Sequence, residues 1–286
     1  MIMLDGVIFG LLAMFSWGVL DYIAAKPSRE LGAMRSTLWF SIFQMLLLAL
    51  LGIFLFSAAH IGAYTIELAV VIGLLGSIAA LCFSKGLQVG NIAIIALISN
   101  AWGAVTAVLG YIFLGEALSS LQALYIVMII AGTIFVSINL QNMRKYGAKK
   151  THIGIEFAFA SMLAWGIGLF LMSILTQQVG WFSAGFMVMI PRLIFVVAFA
   201  FLARTQLRIG LGKMRYLLIM SVLSVFATLS YNIGVSYNYT DIVAPIAAAS
   251  SVITVLLAVV LIKEKLEPYQ KLGVIVVTLG LVLLSA

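Results

Sequence analysis

Apolar residues fill this chain in stretches of about 20 or more, separated by short polar connections. Ten stretches can be drawn, over about 3–25, 35–57, 66–88, 91–114 and 121–139, then 153–175, 182–203, 214–237, 241–262 and 268–286. Roughly 20 apolar residues in an α-helix cross the ~30 Å hydrocarbon core of a bilayer. The stretches are too long and too evenly apolar for the alternating strands of a membrane barrel, so the pattern predicts ten membrane-spanning helices. Gly90-Asn91 and Asn238-Tyr239 read as tight turns between spans 3 and 4 and between spans 8 and 9. The longest connection runs from Gln141 to His152. It divides the chain into residues 1–140, a basic linker 141–152, and residues 153–286.

Displaced by 148 residues, the chain aligns with itself without a gap. Trp17-Gly18 falls on Trp165-Gly166, Gly86 on Gly234, Glu116 on Glu264, Gln122 on Gln270 and Gly132 on Gly280. From Ile92 to Gly132, 11 of 41 pairs are identical. Shared Ile, Leu and Ala follow partly from composition; the shared Trp, Glu and Gln do not. Each copy holds five spans, an odd number, so the second copy is expected to be inserted upside down. The expected fold class is an all-α membrane protein with ten transmembrane helices as two inverted five-helix repeats, an arrangement used by secondary transporters.

Composition agrees with a lipid solvent. The chain is 64% hydrophobic and 9% charged, with mean hydropathy +1.23, against about 25% charged residues in a soluble domain. Met1 to Asp5 carries no positive n-region, and the apolar stretch behind it is long enough to span, so no cleaved signal is expected. The single cysteine, Cys82, excludes a disulfide framework. The net charge of +7 would suggest nucleic acid in a soluble protein. Here fifteen of the sixteen Lys and Arg occupy connections or span ends on one side of the membrane, so no nucleic-acid partner is expected. The positive-inside rule then places both termini outside the cytoplasm, in a multi-pass protein of the plasma membrane.

The sixteenth, Arg192, follows Pro191 near the middle of span 7. A central Arg costs at least about 2.5–3.5 kcal/mol on insertion scales, and such residues face the bundle interior. It either meets an anionic substrate group in a central cavity or bonds neighbouring helix carbonyls. Its repeat partner is Gln44, also polar and mid-span. Trp17 and Trp165 are repeat-equivalent; Asn100 and Trp102 lie in span 4, Tyr231 and Asn232 in span 8. Aromatic walls with a few polar groups are the chemistry of a small-molecule cavity, although helix packing uses the same residues. Asp21, about a turn before the end of span 1, binds an amine, carries a proton, or pairs with a loop Lys or Arg. Lys85 is near enough to its helix end to snorkel. Glu67 and Glu156 are expected at helix starts, complementing the dipole. Small residues crowd spans 4 and 9, which places both centrally. His60 and His152 are far apart, and no phosphate loop, nucleophile elbow or metal-ligand cluster is evident. No enzymatic activity, metal or cofactor is expected.

Trp-Gly recurs in the first span of each half. Gly115-Glu116-Ala117-Leu118 follows span 4, Lys263-Glu264-Lys265-Leu266 follows span 9, and a glycine (Gly132, Gly280) marks each fifth span. In these features the chain resembles the EamA family of the drug/metabolite transporter superfamily over essentially its whole length. The resemblance implies spans 1–4 and 6–9 around a central cavity, spans 5 and 10 at the periphery, and export of amino acids, metabolites or drugs by exchange or with protons. It also implies an Arg in the second span of each repeat; Arg192 matches and Gln44 departs. It implies cytoplasmic termini, opposite to the charge count.

The expectation is a secondary transporter of small polar or amphipathic, amino-acid-like metabolites, working by alternating access. Its substrate site would comprise Arg192, Gln44, Trp17, Trp165, Asn100, Trp102, Tyr231 and Asn232, with Asp21 as candidate for proton coupling. Its partners would be the lipid bilayer, a small-molecule substrate and a proton or exchange substrate, in a monomer or homodimer. Alternatives are a polyspecific exporter of hydrophobic cations, in which Asp21 and the aromatics dominate, a non-transporting membrane scaffold or receptor, and a passive channel.

Overall fold

The computed structural model of the protein describes residues 2–57, 61–114, 120–137, 154–236, 240–263 and 266–284. All regular structure among them is helical. The first half contains α1 (Ile2–Leu31), α2 (Ala33–Leu55), α3 (Ala63–Val89), α4 (Ile92–Asn100), α5 (Trp102–Leu109) and α6 (Ser120–Ser137). The second contains α7 (Ile155–Val179), α8 (Trp181–Leu202), α9 (Leu211–Ser236), α10 (Thr240–Ala248), α11 (Ser250–Leu261) and α12 (Pro268–Leu284). α5 passes into a π-helical stretch, Gly110–Leu114. Taking α4–α5 and α10–α11 as two interrupted helices, the described residues form ten helical runs. Seven are long and apolar enough to cross a membrane, and Ile246–Leu261 and Lys271–Gly280 are shorter apolar helices. The linker 141–152, Glu116, Glu264, His60 and the Asn238-Tyr239 turn lie outside the described residues.

Lipid dictates both the helices and their polarity. Backbone N–H and C=O groups find no water in the hydrocarbon core, so each segment satisfies them internally. Large apolar side chains point outward: Phe54 is 82% exposed and Phe201 83%. Hydroxyls are inside, with Ser41, Ser77, Ser99, Ser161, Ser250 and Thr254 buried. Most donate to helix carbonyls or to each other, as Ser77 does to Gly73 O at 2.8 Å and Ser161 to Ser99 Oγ at 2.7 Å.

The two halves touch through reciprocal contacts. Gly18 on α1 lies against α11, where an added Cβ would stand 2.5 Å from Ile253 Cβ and 2.7 Å from Ser250 O. Gly166 on α7 lies against α5, where it would stand 2.5 Å from Val105 Cβ and 3.1 Å from Trp102 O. Thr254 Oγ1 donates to Gly18 O at 2.9 Å, and Thr106 Oγ1 to Gly166 O at 3.0 Å. Every residue in one crossing is the 148-residue equivalent of its counterpart in the other. Such swapped pairs are what a two-fold relation between like units generates. The turns obey it too: Gly32 and Gly180, each opening a second helix, hold φ of 86° and 85°. These left-handed conformations suit glycine. α4–α5 and α10–α11 break at equivalent residues, Ala101 and Ala249, with φ, ψ of −67°, 5° and −68°, 2°. At each break N–H groups reach back only three residues, from Ala101 to Ile98 O at 3.2 Å and Ala104 to Ala101 O at 3.1 Å, and from Ala249 to Ile246 O at 3.1 Å and Val252 to Ala249 O at 2.9 Å. A short 3₁₀ turn inside a helix often marks a hinge. α6 and α12 pack mainly on one another.

Basic residues of the α1–α2 and α8–α9 connections meet at one end of the bundle. Arg29 donates from Nε to Leu87 O (3.1 Å) and from Nη2 to Gly90 O (2.9 Å), where its charge complements the C-terminus of α3. Lys26 donates to Tyr216 Oη at 2.9 Å, Lys213 pairs with Glu30 at 3.5 Å, and Lys85 donates to Gln88 Oε1 at 3.1 Å. Asn91 accepts from Ile94 N at 3.1 Å, capping α4 after the Gly90 turn. Glu156 lies in the first turn of α7 as expected. Glu67 does not open α3: the helix begins at Ala63, under a Gly62 cap whose N–H is accepted by Thr65 Oγ1 at 2.9 Å.

The crossings predict opposite effects for one substitution. In an open helical site Gly→Ala stabilises by up to about 1 kcal/mol. Gly52, whose added Cβ would meet only Phe186 at 3.6 Å and Phe182 at 3.7 Å, should behave so. Gly18→Ala and Gly166→Ala should instead destabilise by about 1–3 kcal/mol through overpacking. Thermal unfolding of the three detergent-solubilised variants checks this; equal melting temperatures would refute the tight crossings.

Candidate functional site

Between the halves lies a cavity of about 160 Å³. Its walls come from α1 (Trp17, Leu20, Asp21, Ala24), α2 (Ser36, Thr37, Phe40) and α3 (Ile72, Gly76, Ala80, Phe83, Ser84). Asn100 and Trp102 flank the α4–α5 break. α7 contributes Ala164, Trp165, Gly168, Leu169 and Met172, α8 contributes Val188 and Arg192, and α9 contributes Met220, Ser224 and Thr228. No lining residue comes from α6 or α12.

One polar group centres on Asp21, which is 4% exposed. It pairs with an amide, not with a loop Lys or Arg: Asn100 Nδ2 donates to its Oδ2 at 2.8 Å. Asn100 Oδ1 accepts from Trp102 Nε1 at 3.3 Å and from Ser250 Oγ at 3.2 Å. Ser250 opens α11, so Asn100 ties the two helix breaks together through one side chain. Among the described residues the neutral Asn100 amide is the one hydrogen-bond donor to the Asp21 carboxylate.

Arg192 supplies the opposite charge. α8 passes through Pro191 without interruption. At that level α3 comes close enough that a Cβ on Gly73 would lie 2.8 Å from Arg192 N. Ser77 Oγ donates to Arg192 O at 3.0 Å. These contacts set the depth of the residue. Its Cζ lies 5.9 Å from the Phe40 ring centroid, a cation–π distance. Nε is buried without a partner, and no carboxylate pairs with the guanidinium among the described residues. Nor does it donate to a helix carbonyl among them. A cation in apolar surroundings without a counter-ion is poised to take an anion.

Aromatic rings complete the walls. Trp165 meets Phe83 at 5.1 Å between centroids, while Trp17 meets Tyr231 at 5.6 Å and Trp102 at 6.1 Å. Phe83 and Tyr231 are repeat-equivalent, so each half's first-span Trp packs on the other half's third-span ring.

Six of the expected residues therefore share the cavity: Arg192, Trp17, Trp165, Asn100, Trp102 and Asp21. Three stand outside its lining. Gln44 lies one turn beyond Phe40 and is turned toward α9, where its Nε2 donates to Ser224 Oγ at 2.6 Å. Tyr231 is wholly buried behind Trp17 and Trp102. Asn232 lies a turn past Thr228, beyond the cavity, and donates to Trp181 O at 2.9 Å. Span depth was readable for these residues; the face each presents depends on packing. Phe40, Ser224 and Thr228 were not anticipated. The spacing of Met220, Ser224 and Thr228 at i, i+4 and i+8 places them on one helix face and was the available signal.

Residues 4–138 and 152–286 each match the model of the EamA-like transporter family. The two matches are displaced by the same 148 residues as the internal repeat. A solved structure described only as "Crystal structure of protein" is similar over 97% of this chain and 95% of that one, with a TM-score of 0.70 at 15% identity. At that identity the likeness concerns the fold alone. No curated protein matches the chain. Matched by the family model over nearly its whole length in two copies, the chain belongs to the EamA-like transporter family, part of the drug/metabolite transporter superfamily.

Proposed function

We propose that this protein is a secondary transporter of small polar or amphipathic, amino-acid-like metabolites, working by alternating access. One observation carries the reading: an aromatic-walled cavity holds a buried Asp21 and an Arg192 that has no carboxylate partner among the described residues. Arg192 binds the carboxylate of the substrate. Trp17, Trp102 and Trp165 wall its apolar part. Asp21, held by Asn100, exchanges a proton. Residues 1–140 and 153–286 are the two moving units, inverted relative to one another. The five-span count, the family matches to both halves and the reciprocal crossings support the inversion. Rocking of the units about the cavity would expose it alternately to each side. The clustering of Lys and Arg supports placing that end at the cytoplasm of the plasma membrane. A carrier of hydrophobic cations would instead use Asp21 and the aromatic walls, with Arg192 opposing the cation from the same cavity.

Flux of labelled amino acids into proteoliposomes, with and without an imposed pH gradient, tests the reading. Saturable flux is expected; its absence for every amino acid and for lipophilic cations, from folded protein, would leave a non-transporting receptor as the better account. Arg192→Ala and Arg192→Gln should lower kcat/KM at least about tenfold, the loss of a charge-assisted hydrogen bond worth ~1.5–3 kcal/mol. Parent-like flux in both variants would remove Arg192 from the site.

Asp21→Asn should abolish acceleration by the pH gradient and leave substrate-for-substrate counterflow intact. An unchanged gradient response in this variant would assign proton coupling elsewhere.

A further inference from the structure

Gln44 lies outside the cavity, yet its only hydrogen bond among the described residues reaches a residue that lines it. Gln44 Nε2 donates to Ser224 Oγ at 2.6 Å. A hydroxyl carries one hydrogen and two acceptor lone pairs. The bond from Gln44 occupies the acceptor side, which leaves the Ser224 hydrogen free to donate. Several buried hydroxyls here turn that hydrogen back on their own helix. Ser221, three residues away, donates to Leu217 O at 2.8 Å. Ser224 makes no such bond to Met220 O and donates to no acceptor among the described residues. Ser224 also lines the cavity.

The same stretch of α2 meets Arg192. The guanidinium lies 5.9 Å from the Phe40 ring, and Gln44, bonded to Ser224, is one turn further along. Arg192 and Ser224 are thus brought to adjacent walls by one turn of α2. Among the described residues, Arg192 is the only Lys or Arg that lines the cavity. One cation suits a monoanion, and the planar fork of a guanidinium matches a carboxylate; a phosphate dianion would be left half neutralised.

We infer that Arg192 and the Ser224 hydroxyl form a two-part carboxylate site, and that Gln44 is its positioning residue. Gln44 never touches the ligand. It occupies the acceptor side of Ser224 and so aims the hydrogen into the cavity. The aromatic walls admit a flat apolar group behind the carboxylate. The inference rests on the transporter reading only for its physiological role, and binding alone tests it.

The probe is phenylacetate, compared with its neutral isostere phenylacetamide, titrated calorimetrically into the purified full-length protein. The parent should prefer the acid at least about tenfold. Ser224→Ala and Ser224→Cys should each weaken phenylacetate binding about tenfold and leave phenylacetamide unchanged. Ser224→Thr, which keeps the hydroxyl, should retain affinity. Gln44→Leu should weaken binding on its own but add nothing to Ser224→Ala, because it acts through the missing hydroxyl. Melting temperatures near the parent's identify folded variants. Equal binding of acid and amide, parent-like affinity in the folded Ser224 variants, or additive losses would each overturn the inference. Acid preference without flux would sink the transport reading and keep the site; saturable amino-acid flux without acid preference would do the reverse.

Discussion

Two backbone crossings hold the architecture together. Where α1 meets α11 and α7 meets α5, no side chain separates the helices, and a threonine from each partner donates to the glycine carbonyl it faces. In a lipid solvent there is no bulk hydrophobic drive between helices, so dispersion at close approach and interhelical hydrogen bonds do the joining. Each crossing fixes the first helix of one half to the broken helix of the other. The cavity is the space left where helices anchored in this exchange diverge. Its walls alternate between halves, so any substrate within it touches both.

This explains which parts of the molecule were legible beforehand. Span number and approximate ends follow from hydropathy, because lipid permits little else. The repeat was visible because Trp17-Gly18 and Trp165-Gly166 survive in both copies, and the structure assigns those pairs two tasks: the tryptophans line the cavity and the glycines make the crossings. Arg192 and Asp21 stood out as ionisable groups within spans, where insertion is costly. Orientation about the helix axis was harder to read. Gln44 and Tyr231 have the right depth, but neighbouring helices turn them away from the cavity. With nearly every face of these helices apolar, periodicity carries little directional information, and a serine such as Ser224 has no distinguishing mark. Asp21 was harder still, because its partner Asn100 lies 79 residues away.

The polar interior is organised around few bonds. Asn100 holds Asp21 on one side and Ser250 on the other, so a single amide spans the two helix breaks and the carboxylate. A polar network in low dielectric is rigid when satisfied and costly when half satisfied. A change at the carboxylate is therefore felt at both interruptions simultaneously, and neither broken helix can bend there without disturbing the other. Arg192 differs: its backbone is pinned by Ser77 and Gly73 while its charge is left unmatched.

The departure of the polar residues from the two-fold relation has an energetic meaning. Two identical halves exchanging roles would give inward-facing and outward-facing states of equal free energy. Here Arg192 corresponds to Gln44, Asp21 to Leu169 and Asn100 to Ala248. In the proposed alternating-access cycle each mismatched pair would meet a different environment in the two states, so the empty carrier would rest unequally on the two sides of the membrane. About 1.4 kcal/mol of such imbalance is a tenfold difference in occupancy. In that cycle the residues proposed to recognise cargo would also set the side from which the unloaded protein waits.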